Sequence, residues 1–518
     1  MKRSSRFVLT VITLLFVVSG LLSCSRRGSE FVVALDTAPT LDPFRGSNAA
    51  SYRMQQLMFN TLVKKNERFE YVGELASNFQ PSADNLSYTF TLHDNVKFHD
   101  GRPLTSSDVK YTFDTLLASD ASKAGSFMKG TGESKQKRIQ SIEAPDPRTV
   151  VMRLSEPWTE LLANLVAVPI IPPDSSANQE NAPMGSGPFR FVRKDESQQV
   201  YDLEAHENYW EGAPQIKRLR VRVILDANTL QAELRSGRVD LAPNVTNFTP
   251  DAYNSLKADA NLQVKQFPGA NVAYLSFNTK AEPLSDARVR RAIAMAIDRE
   301  GIVRDLLLGQ AQIAHSILPE TSWAYTPGDK IAYDPQAARR LLDEAGFRDP
   351  DGNGNQMRFP RPLVFKILGS SVAISRYASV IQNAIKEIGV PVEIETMELQ
   401  ALLEAQSRGQ YQLSAGSWVG GNQDPIFLRD LFTPTRFNRT QYSNPDIERI
   451  LAEATTTTDR ERARALYAEA QSIVTRDMPM LPLWYPANMI IARKSVGNIE
   501  VDPSGDWRFI RKLTLENN

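Results

Sequence analysis

The chain has 518 residues, of which 42% are hydrophobic and 23% charged, an ordinary globular composition with length for two or three domains. Sixty basic residues balance sixty acidic ones, so no net field attracts a polyanion, and we expect no nucleic-acid partner. The single cysteine, Cys24, excludes an internal disulfide.

The N-terminus combines a basic start with an apolar run. Lys2, Arg3 and Arg6 precede the stretch 7–22, which has the length of a signal peptide's apolar region and falls short of the roughly 20 residues that span a bilayer comfortably. The sequence LLSC, which ends at Cys24, resembles the bacterial lipobox. The resemblance implies a mature chain that begins at an acylated Cys24. An uncleaved transmembrane anchor with an unused thiol is the alternative.

The first half of the chain predicts strands separated by turns. FVVALD and LSYTFTLH have strand composition, and Asp100-Gly101 indicates a tight turn. A helix should begin at 105–108 and run through TFDTLLA. GSGPFRF, VYDLEAHENYW and IKRLRVRVIL are typical of strands, and Asp226 should start a helix.

The second half predicts helices and strands in alternation. LSDARVRRAIAMAIDREG should form a helix that Ser285 or Asp286 caps and Gly301 ends, and Asp334 should cap another. From LVFKILG to YQLSAGSW, three predicted strands alternate with two predicted helices, 374–388 and LQALLEAQ. Short connections of this kind require parallel pairing, and ligands bind at the carboxyl ends of such strands. The loop VGGNQDP follows the third strand directly.

Local motifs for catalysis or metal binding are scarce. The chain has no GxSxG elbow, HExxH pair, Walker loop or glycine-rich dinucleotide fingerprint, and its four histidines are scattered. DPDGNGN begins like a calcium loop, but its twelfth position is Pro360 instead of a bidentate glutamate, which favours a solvated turn. We therefore expect no enzyme activity, no cofactor and no metal site.

Six phrases together carry a family resemblance. In order they are YTFTLHDNVKFHDGRPLTSSDVKYTFD, GSGPFRF, SGRVDL, YLSFNTKAEPLSDARVRRAIAMAIDR, AARRLLDEAGF and WVGGNQDP. They resemble the family 5 solute-binding proteins of bacterial ABC importers, the peptide- and nickel-binding group, from about residue 31 to past 485.

The resemblance implies a periplasmic-binding-protein fold of type II, an α/β fold of two lobes with an extra α+β domain inserted in the first. The implied division is a signal peptide at 1–23, a tether at 24–30, lobe I at 30–47, 169–269 and 479–518, the extra domain at 48–168, and lobe II at 270–478. The two passages between lobes, near 270 and 479, would form the hinge.

The implied mechanism is non-catalytic. The lobes close on a solute, and closure is favoured only if the solute gains contacts in the closed form that it lacks in the open form. The closed form then docks on an ABC permease and ATPase complex. The implied protein is a monomer, lipid-anchored to the cell membrane, that faces the periplasm or the cell exterior. In peptide-binding members the ligand lies extended between the lobes.

The phrase WVGGNQDP supplies the predicted binding residues: Trp418, Gly420, Gly421, Asn422 and Asp424. Peptide binders place an aspartate for the ligand's ammonium group three residues after this tryptophan, where the present chain has Gly421. Asp424 is a possible substitute, although before Pro425 it is better placed to cap the next helix. Trp418 is either a wall of the binding pocket or a core residue.

Three readings follow. The leading one is a receptor for solute uptake, with a peptide as the solute. Within that class, the missing acid favours a solute without a free peptide amine, such as a blocked or cyclic peptide, an oligosaccharide, an opine or a chelated metal. An exported lipoprotein enzyme and a receptor that senses without transport are the other classes; product formation, or signalling lost while uptake persists, would identify them.

Overall fold

The computed structural model describes residues 30–130, 134–350, 357–420, 423–435, 437–457 and 459–516. Cys24, Gly421, Asn422 and most of the DPDGNGN motif lie outside these ranges. Three larger sheets organise the described part of the chain, and they are called sheets A, B and C below.

Sheet A has seven strands. In spatial order they are Phe189–Asp195, Val200–Ala205, Arg218–Val223, Phe31–Leu35, Leu241–Pro243, Asn488–Arg493 and Leu262–Phe267. The central strand Phe31–Leu35 runs parallel to both neighbours, with Val33 opposite Val221 on one side and Leu241 on the other. Val33 packs in one hydrophobic cluster and Ala34 in another, so both faces of the sheet are covered.

Sheet B has six strands. In spatial order they are Ala311–Ile313, Met480–Pro486, Val272–Phe277, Leu413–Trp418, Leu363–Leu368 and Val392–Met397. Leu363–Leu368 runs parallel to Val392–Met397 and to Leu413–Trp418, which confirms the pairing predicted from the alternating pattern. The carboxyl ends of these three strands therefore meet at one edge of the sheet.

Sheet C is antiparallel and has four strands. They are Ala76–Pro81, Ser87–Leu92, Thr149–Leu154 and Ile139–Asp146 in spatial order. Phe90 from sheet C and Phe113 from the helix Ser106–Ala118 belong to the same buried cluster as Val33 of sheet A. Sheets A and C therefore share one core.

Short strands and helices complete the described structure. The two-stranded pairs are Val63–Lys65 with Tyr71–Gly73, Met128–Lys129 with Gln136–Lys137, and Val496–Gly497 with Thr514–Leu515. The α-helices are Ala49–Met58, Ser106–Ala118, Leu161–Leu165, Ala227–Arg235, Pro250–Lys257, Ala287–Ala296, Arg299–Gly301, Pro335–Glu344, Val372–Glu387, Leu399–Ser407, Phe427–Phe432, Pro445–Thr456 and Arg460–Asp477. Three 3₁₀ helices are Ser122–Phe127, Ser176–Asn178 and Trp507–Lys512, and Ile302–Leu306 is a π-helix.

The helix caps confirm three predicted starts and correct one predicted end. Asp226, Asp286 and Asp334 each accept a backbone hydrogen bond from the first turn of a helix. The helix that starts after Asp286 ends at Ala296, not at Gly301. Asp298 starts a separate short helix, because its carboxylate accepts the Gly301 amide at 2.8 Å.

The chain passes between sheets A and B twice. The first passage, 268–271, joins Leu262–Phe267 to Val272–Phe277. The second is Ala487, because Met480–Pro486 still pairs in sheet B and the next strand pairs in sheet A. This return lies later than the boundary predicted at 479, since LPLWYPANMIIAR is one apolar run with no break that marks the change of sheet.

The two passages touch each other. The Asn488 side-chain amide donates to the Pro268 carbonyl at 2.9 Å. A Cβ on Gly269 would lie 1.9 Å from the Pro486 carbonyl oxygen, so only glycine fits this contact. The two connections between the sheets therefore form one compact crossing.

Candidate ligand-binding cleft

The carboxyl edge of sheet A presents polar groups just beyond its parallel strands. Asp36 follows the strand Phe31–Leu35, and Thr246 follows Leu241–Pro243. One Asp36 carboxylate oxygen accepts the Thr246 amide at 2.8 Å and the Thr246 hydroxyl at 2.5 Å. This edge is where open α/β sheets bind ligands.

Trp418 ends a strand at the carboxyl edge of sheet B. Its ring stacks on Tyr274 with centroids 5.5 Å apart, meets the Phe427 ring edge-on at 5.0 Å, and lies 5.2 Å from the Arg439 guanidinium. Its buried Nε1 has no acceptor among the described residues. The half-buried ring therefore contributes to a hydrophobic cluster at the very end of the strand.

Gly420 has a positive φ of +76°, a conformation that favours glycine. Its amide donates to the Asn271 side-chain oxygen at 3.2 Å. The start of the predicted binding loop is thus tied to the first passage between the sheets.

Asp424 connects two distant parts of the chain. One of its oxygens accepts the Ile426 amide at 3.0 Å, and the other accepts the Tyr71 hydroxyl. Asp424 was predicted to cap the helix Phe427–Phe432, but Ile426 is the N-cap residue and Asp424 lies two residues before it. Burial raises the pKa of Tyr71 well above its usual value, and the Asp424 carboxylate adds to that rise. Tyr71 therefore stays a hydrogen-bond donor.

Two ion pairs flank the contact between Tyr71 and Asp424. Arg460 donates to Glu70 at 3.0 Å, and Arg429 donates to Glu160 at 2.8 Å. Each joins the predicted lobe II to the predicted extra domain, as the hydrogen bond of Tyr71 does. The Arg460 guanidinium also lies 3.3 Å from the centre of the Trp323 ring. The structure therefore holds these two parts of the chain in contact.

Arg53 and Lys65 are two cations that nearby carboxylates influence. Arg53, on the helix Ala49–Met58, lies 5.8 Å from the Trp507 ring, and half-buried Lys65 lies 5.8 Å from the Tyr71 ring. Burial lowers the pKa of Arg53, against the effect of Asp36 and Asp506. Burial also lowers the pKa of Lys65, against the effect of Asp424 and Asp506. Asp506 thus lies near both cations.

The sequence analysis named some of the residues at this candidate cleft and missed others. Trp418, Gly420 and Asp424 lie together at one edge of sheet B, whereas Arg53, Lys65, Tyr71 and Asp506 were not predicted. Asp36 had a usable signal, because it directly follows a buried strand. The others are brought in by contacts across hundreds of residues, for which a single sequence gives no local pattern.

Two of the four histidines lie against one backbone carbonyl. His99 Nε2 and His206 Nδ1 lie 3.1 and 3.2 Å from the Gly187 carbonyl oxygen. In the described part of the chain, no three His, Cys, Asp or Glu side chains converge as a metal site requires. Nor does any helix there have the length and apolar character needed to span a bilayer.

Two α/β units joined by one compact crossing, with polar groups at the carboxyl edges of both sheets, define the class of two-lobed solute-binding proteins. The profile described as "Bacterial extracellular solute-binding proteins, family 5 Middle" matches residues 70–439. The chain belongs to this family, and its fold is the type II periplasmic-binding-protein fold with an extra α+β domain inserted in the first lobe.

Individual relatives agree over almost the full length. The oligopeptide-binding protein AppA of Bacillus subtilis is 27% identical over 95% of this chain and 92% of its own. Heme-binding protein A of Haemophilus influenzae is 30% identical over 89% of this chain and 87% of its own. The crystal structure of the ABC transporter substrate-binding protein CtaP of Listeria monocytogenes shares the fold, with a TM-score of 0.82, 23% identity, and coverage of 94% and 99%. These relatives are binding proteins.

Proposed function

We propose that this protein captures a solute, of the peptide class, between two hinged lobes and delivers it to an ABC permease and ATPase complex. The observation that carries the proposal is the compact crossing between sheets A and B, where Gly269 lies against Pro486. Two adjacent connections allow two rigid lobes to rotate about one place. Family membership and the polar groups at both carboxyl edges support the same reading.

The proposed division into lobes follows the prediction except at the return to sheet A. The signal peptide is 1–23 and the tether 24–30. Lobe I comprises 30–47, 169–269 and the segment from the return at Ala487 to 518. The extra domain is 48–168, and lobe II runs from 270 to that return. The hinge would comprise 268–271 and Ala487 in place of a passage near 479.

The proposed membrane attachment is a lipid on Cys24. Mass spectrometry of the N-terminal peptide of the membrane-bound protein should find an acylated cysteine at position 24. Cys24→Ala should abolish that mass, and an intact N-terminus that starts at Met1 in the wild type would refute the proposal.

This chain differs from peptide binders at the residue that binds the ligand's amine. The position of their aspartate is Gly421. Asp424, the possible substitute, already accepts from Tyr71 and from the Ile426 amide. An anchored ammonium would contribute a charge-assisted hydrogen bond of about 1.5–3 kcal/mol, and both oxygens of Asp424 already accept hydrogen bonds from within the protein. This favours a solute without a required free amine, and the alternatives remain a blocked or cyclic peptide, an oligosaccharide, an opine or a chelated metal.

Closure must be favoured by the solute. A ligand shifts the balance between open and closed forms only by binding the closed form more tightly. The contacts of Tyr71, Arg460 and Arg429 across the two parts would form on closure and define its end point. The closed form is the one proposed to dock on the permease.

Paired peptide libraries test the ligand class. We expect a library of short peptides with free N-termini and the same library acetylated to raise the melting temperature of the full chain, purified in detergent, by similar amounts. A strong preference for the free amine would contradict the argument from Gly421. No shift with either library would contradict a peptide ligand and direct attention to the other solutes.

A further inference from the structure

Two buried cations elsewhere in this protein donate several hydrogen bonds each. Arg299 donates to the carbonyl oxygens of Ala314, Pro482 and Ile331 at 2.6–2.8 Å. Lys123 donates to Gln55 Oε1 at 3.0 Å and to a backbone carbonyl at 2.7 Å. These side chains follow the rule that a buried charge is paired or hydrogen-bonded.

Among the described residues, Arg53 has only a long ion pair with Asp36 and no hydrogen bond. Its side chain is only 15% exposed, yet no described residue accepts a hydrogen bond from its guanidinium. The closest carboxylate oxygen, on Asp36, is 3.9 Å away. The other oxygen of that carboxylate is used by Thr246. None of the five N–H donors of Arg53 therefore has a hydrogen-bond acceptor among the described residues.

The Lys65 ammonium group also has no hydrogen-bond acceptor among the described residues. Its neighbour Lys64 donates to Glu211 at 3.3 Å, whereas no described residue accepts from the Lys65 ammonium. The strand pairing places Lys65 opposite Tyr71, whose hydroxyl reaches Asp424. Lys65 thus lies at the junction between the predicted extra domain and lobe II.

The acids around the two cations already have donors. Asp36 accepts from Thr246, Asp424 from Tyr71 and Ile426, and Asp506 from Arg508 at 2.7 Å. Asp502 accepts the amide and the hydroxyl of Ser504. Each of these carboxylates therefore accepts at least one hydrogen bond within the protein, whereas the two cations donate none to the described residues.

We propose that Arg53 and Lys65 receive an anionic oxygen group of the solute, a carboxylate, on the side of the cleft that the predicted extra domain forms. This rests on the proposed solute-binding function and specifies its ligand: a solute recognised through its acid end in place of its amine. A peptide with a free C-terminus satisfies the requirement, and so does any other carboxylate-bearing solute. The ligand's carboxylate oxygens would accept the hydrogen bonds that Arg53 and Lys65 do not donate to the described residues.

The test compares acid and amide ends. An N-acetylated library of tri- to hexapeptides with free carboxyl ends and the same library with C-terminal amides are bound to the full chain in detergent. We expect the wild type to prefer the acids by roughly 10-fold or more, as one charge-assisted hydrogen bond implies. Arg53→Gln with Lys65→Met should bring the ratio close to one, and Lys65→Arg should retain it.

A matched control separates the proposal from a general charge effect. Lys137 and Arg218 are exposed, and Lys137→Met with Arg218→Gln should keep the wild-type ratio. The melting temperature of Lys65→Met without ligand should equal or exceed that of the wild type, because the substitution removes a charge without a hydrogen-bond partner. A lower melting temperature together with an unchanged acid preference would make Lys65 a structural residue and overturn the proposal.

The remaining outcomes distinguish failure of the carboxylate site from failure of the proposed peptide-binding function. Equal binding of acid and amide libraries by the wild type would leave the peptide function standing and overturn the carboxylate site. If neither library binds, the peptide function fails, and titration with citrate decides the site. A rise in melting temperature that the double variant loses supports it, and no rise, or an equal rise in both proteins, overturns it.

Discussion

Lys123 and Lys65 both belong to the predicted extra domain, and the structure treats their charges in opposite ways. Lys123 lies under the Tyr52 ring, with two oxygen acceptors within 3.0 Å. Lys65 has a ring beside it but no acceptor among the described residues. A cation that is hydrogen-bonded in the core stabilises the fold. A cation in the cleft without a hydrogen-bond acceptor can bind a ligand instead. The same contrast separates Arg299 from Arg53.

The largest expected effect compares the two arginines. Arg299→Met would leave three backbone carbonyls without a donor, and each buried unsatisfied group costs about 1–3 kcal/mol. We expect its free energy of unfolding to fall by about 3 kcal/mol or more in denaturant titrations. Arg53→Gln should change it by less than about 1 kcal/mol, because no described hydrogen bond is lost. Equal losses would remove the distinction between core and cleft cations.

The second prediction concerns the pH dependence of stability. Burial lowers the pKa of Lys123 from 10.5 to about 7, so between these values the unfolded chain binds more protons than the folded one. The free energy of unfolding should therefore rise with pH above 7, by at most about 1.4 kcal/mol per pH unit for this one proton. The window to measure is pH 7–9, below the titration of tyrosines.

Two variants test whether Lys123 causes the rise in the free energy of unfolding with pH. Lys123→Met should flatten it, whereas Lys65→Met should leave most of it in place. Urea titrations at several pH values measure both. If Lys123→Met kept the wild-type slope, the core lysine would not be the group that titrates.

The third prediction addresses the contact across the cleft. Tyr71→Phe removes the hydroxyl that Asp424 accepts and should weaken closure by about 1–2 kcal/mol, or roughly 5- to 30-fold in solute affinity. Small-angle scattering of the free protein should report a larger radius of gyration. Tyr88→Phe is the matched control, because the Tyr88 hydroxyl has no described partner. An unchanged affinity for Tyr71→Phe would mean that this contact does not contribute to closure.

The smallest expected effect is at the surface. Lys137→Met replaces an exposed lysine on a short strand and should change the free energy of unfolding by less than about 0.5 kcal/mol. It should leave the pH dependence of stability unchanged as well. A larger change would show that the unfolding measurement responds to net charge rather than to the surroundings of each lysine.

The sequence predicted the elements of the fold that local patterns encode. The parallel run from Leu363 to Trp418 followed from alternating apolar strands and helices, and the caps at Asp226, Asp286 and Asp334 followed from residue type. The end of the helix at Ala296 did not, because Asp298 caps a new short helix only three residues before Gly301, the glycine predicted to end the first helix.

The cleft was harder to predict because its contacts are not local. Asp424 and Tyr71 lie 353 residues apart, and nothing beside either residue indicates the other. Arg53 belongs to an ordinary helix, where an arginine is usually solvated. Its significance comes from the absence of a described acceptor, which only the packed structure shows.

Native mass spectrometry of the solute that co-purifies with the full chain tests the central claim most directly. We expect the wild type to carry a solute with at least one carboxylate, and Arg53→Gln with Lys65→Met to release it. The control variant, Lys137→Met with Arg218→Gln, should keep it. A bound solute without an anionic group, or one retained equally by the double variant of the cleft, would contradict the account.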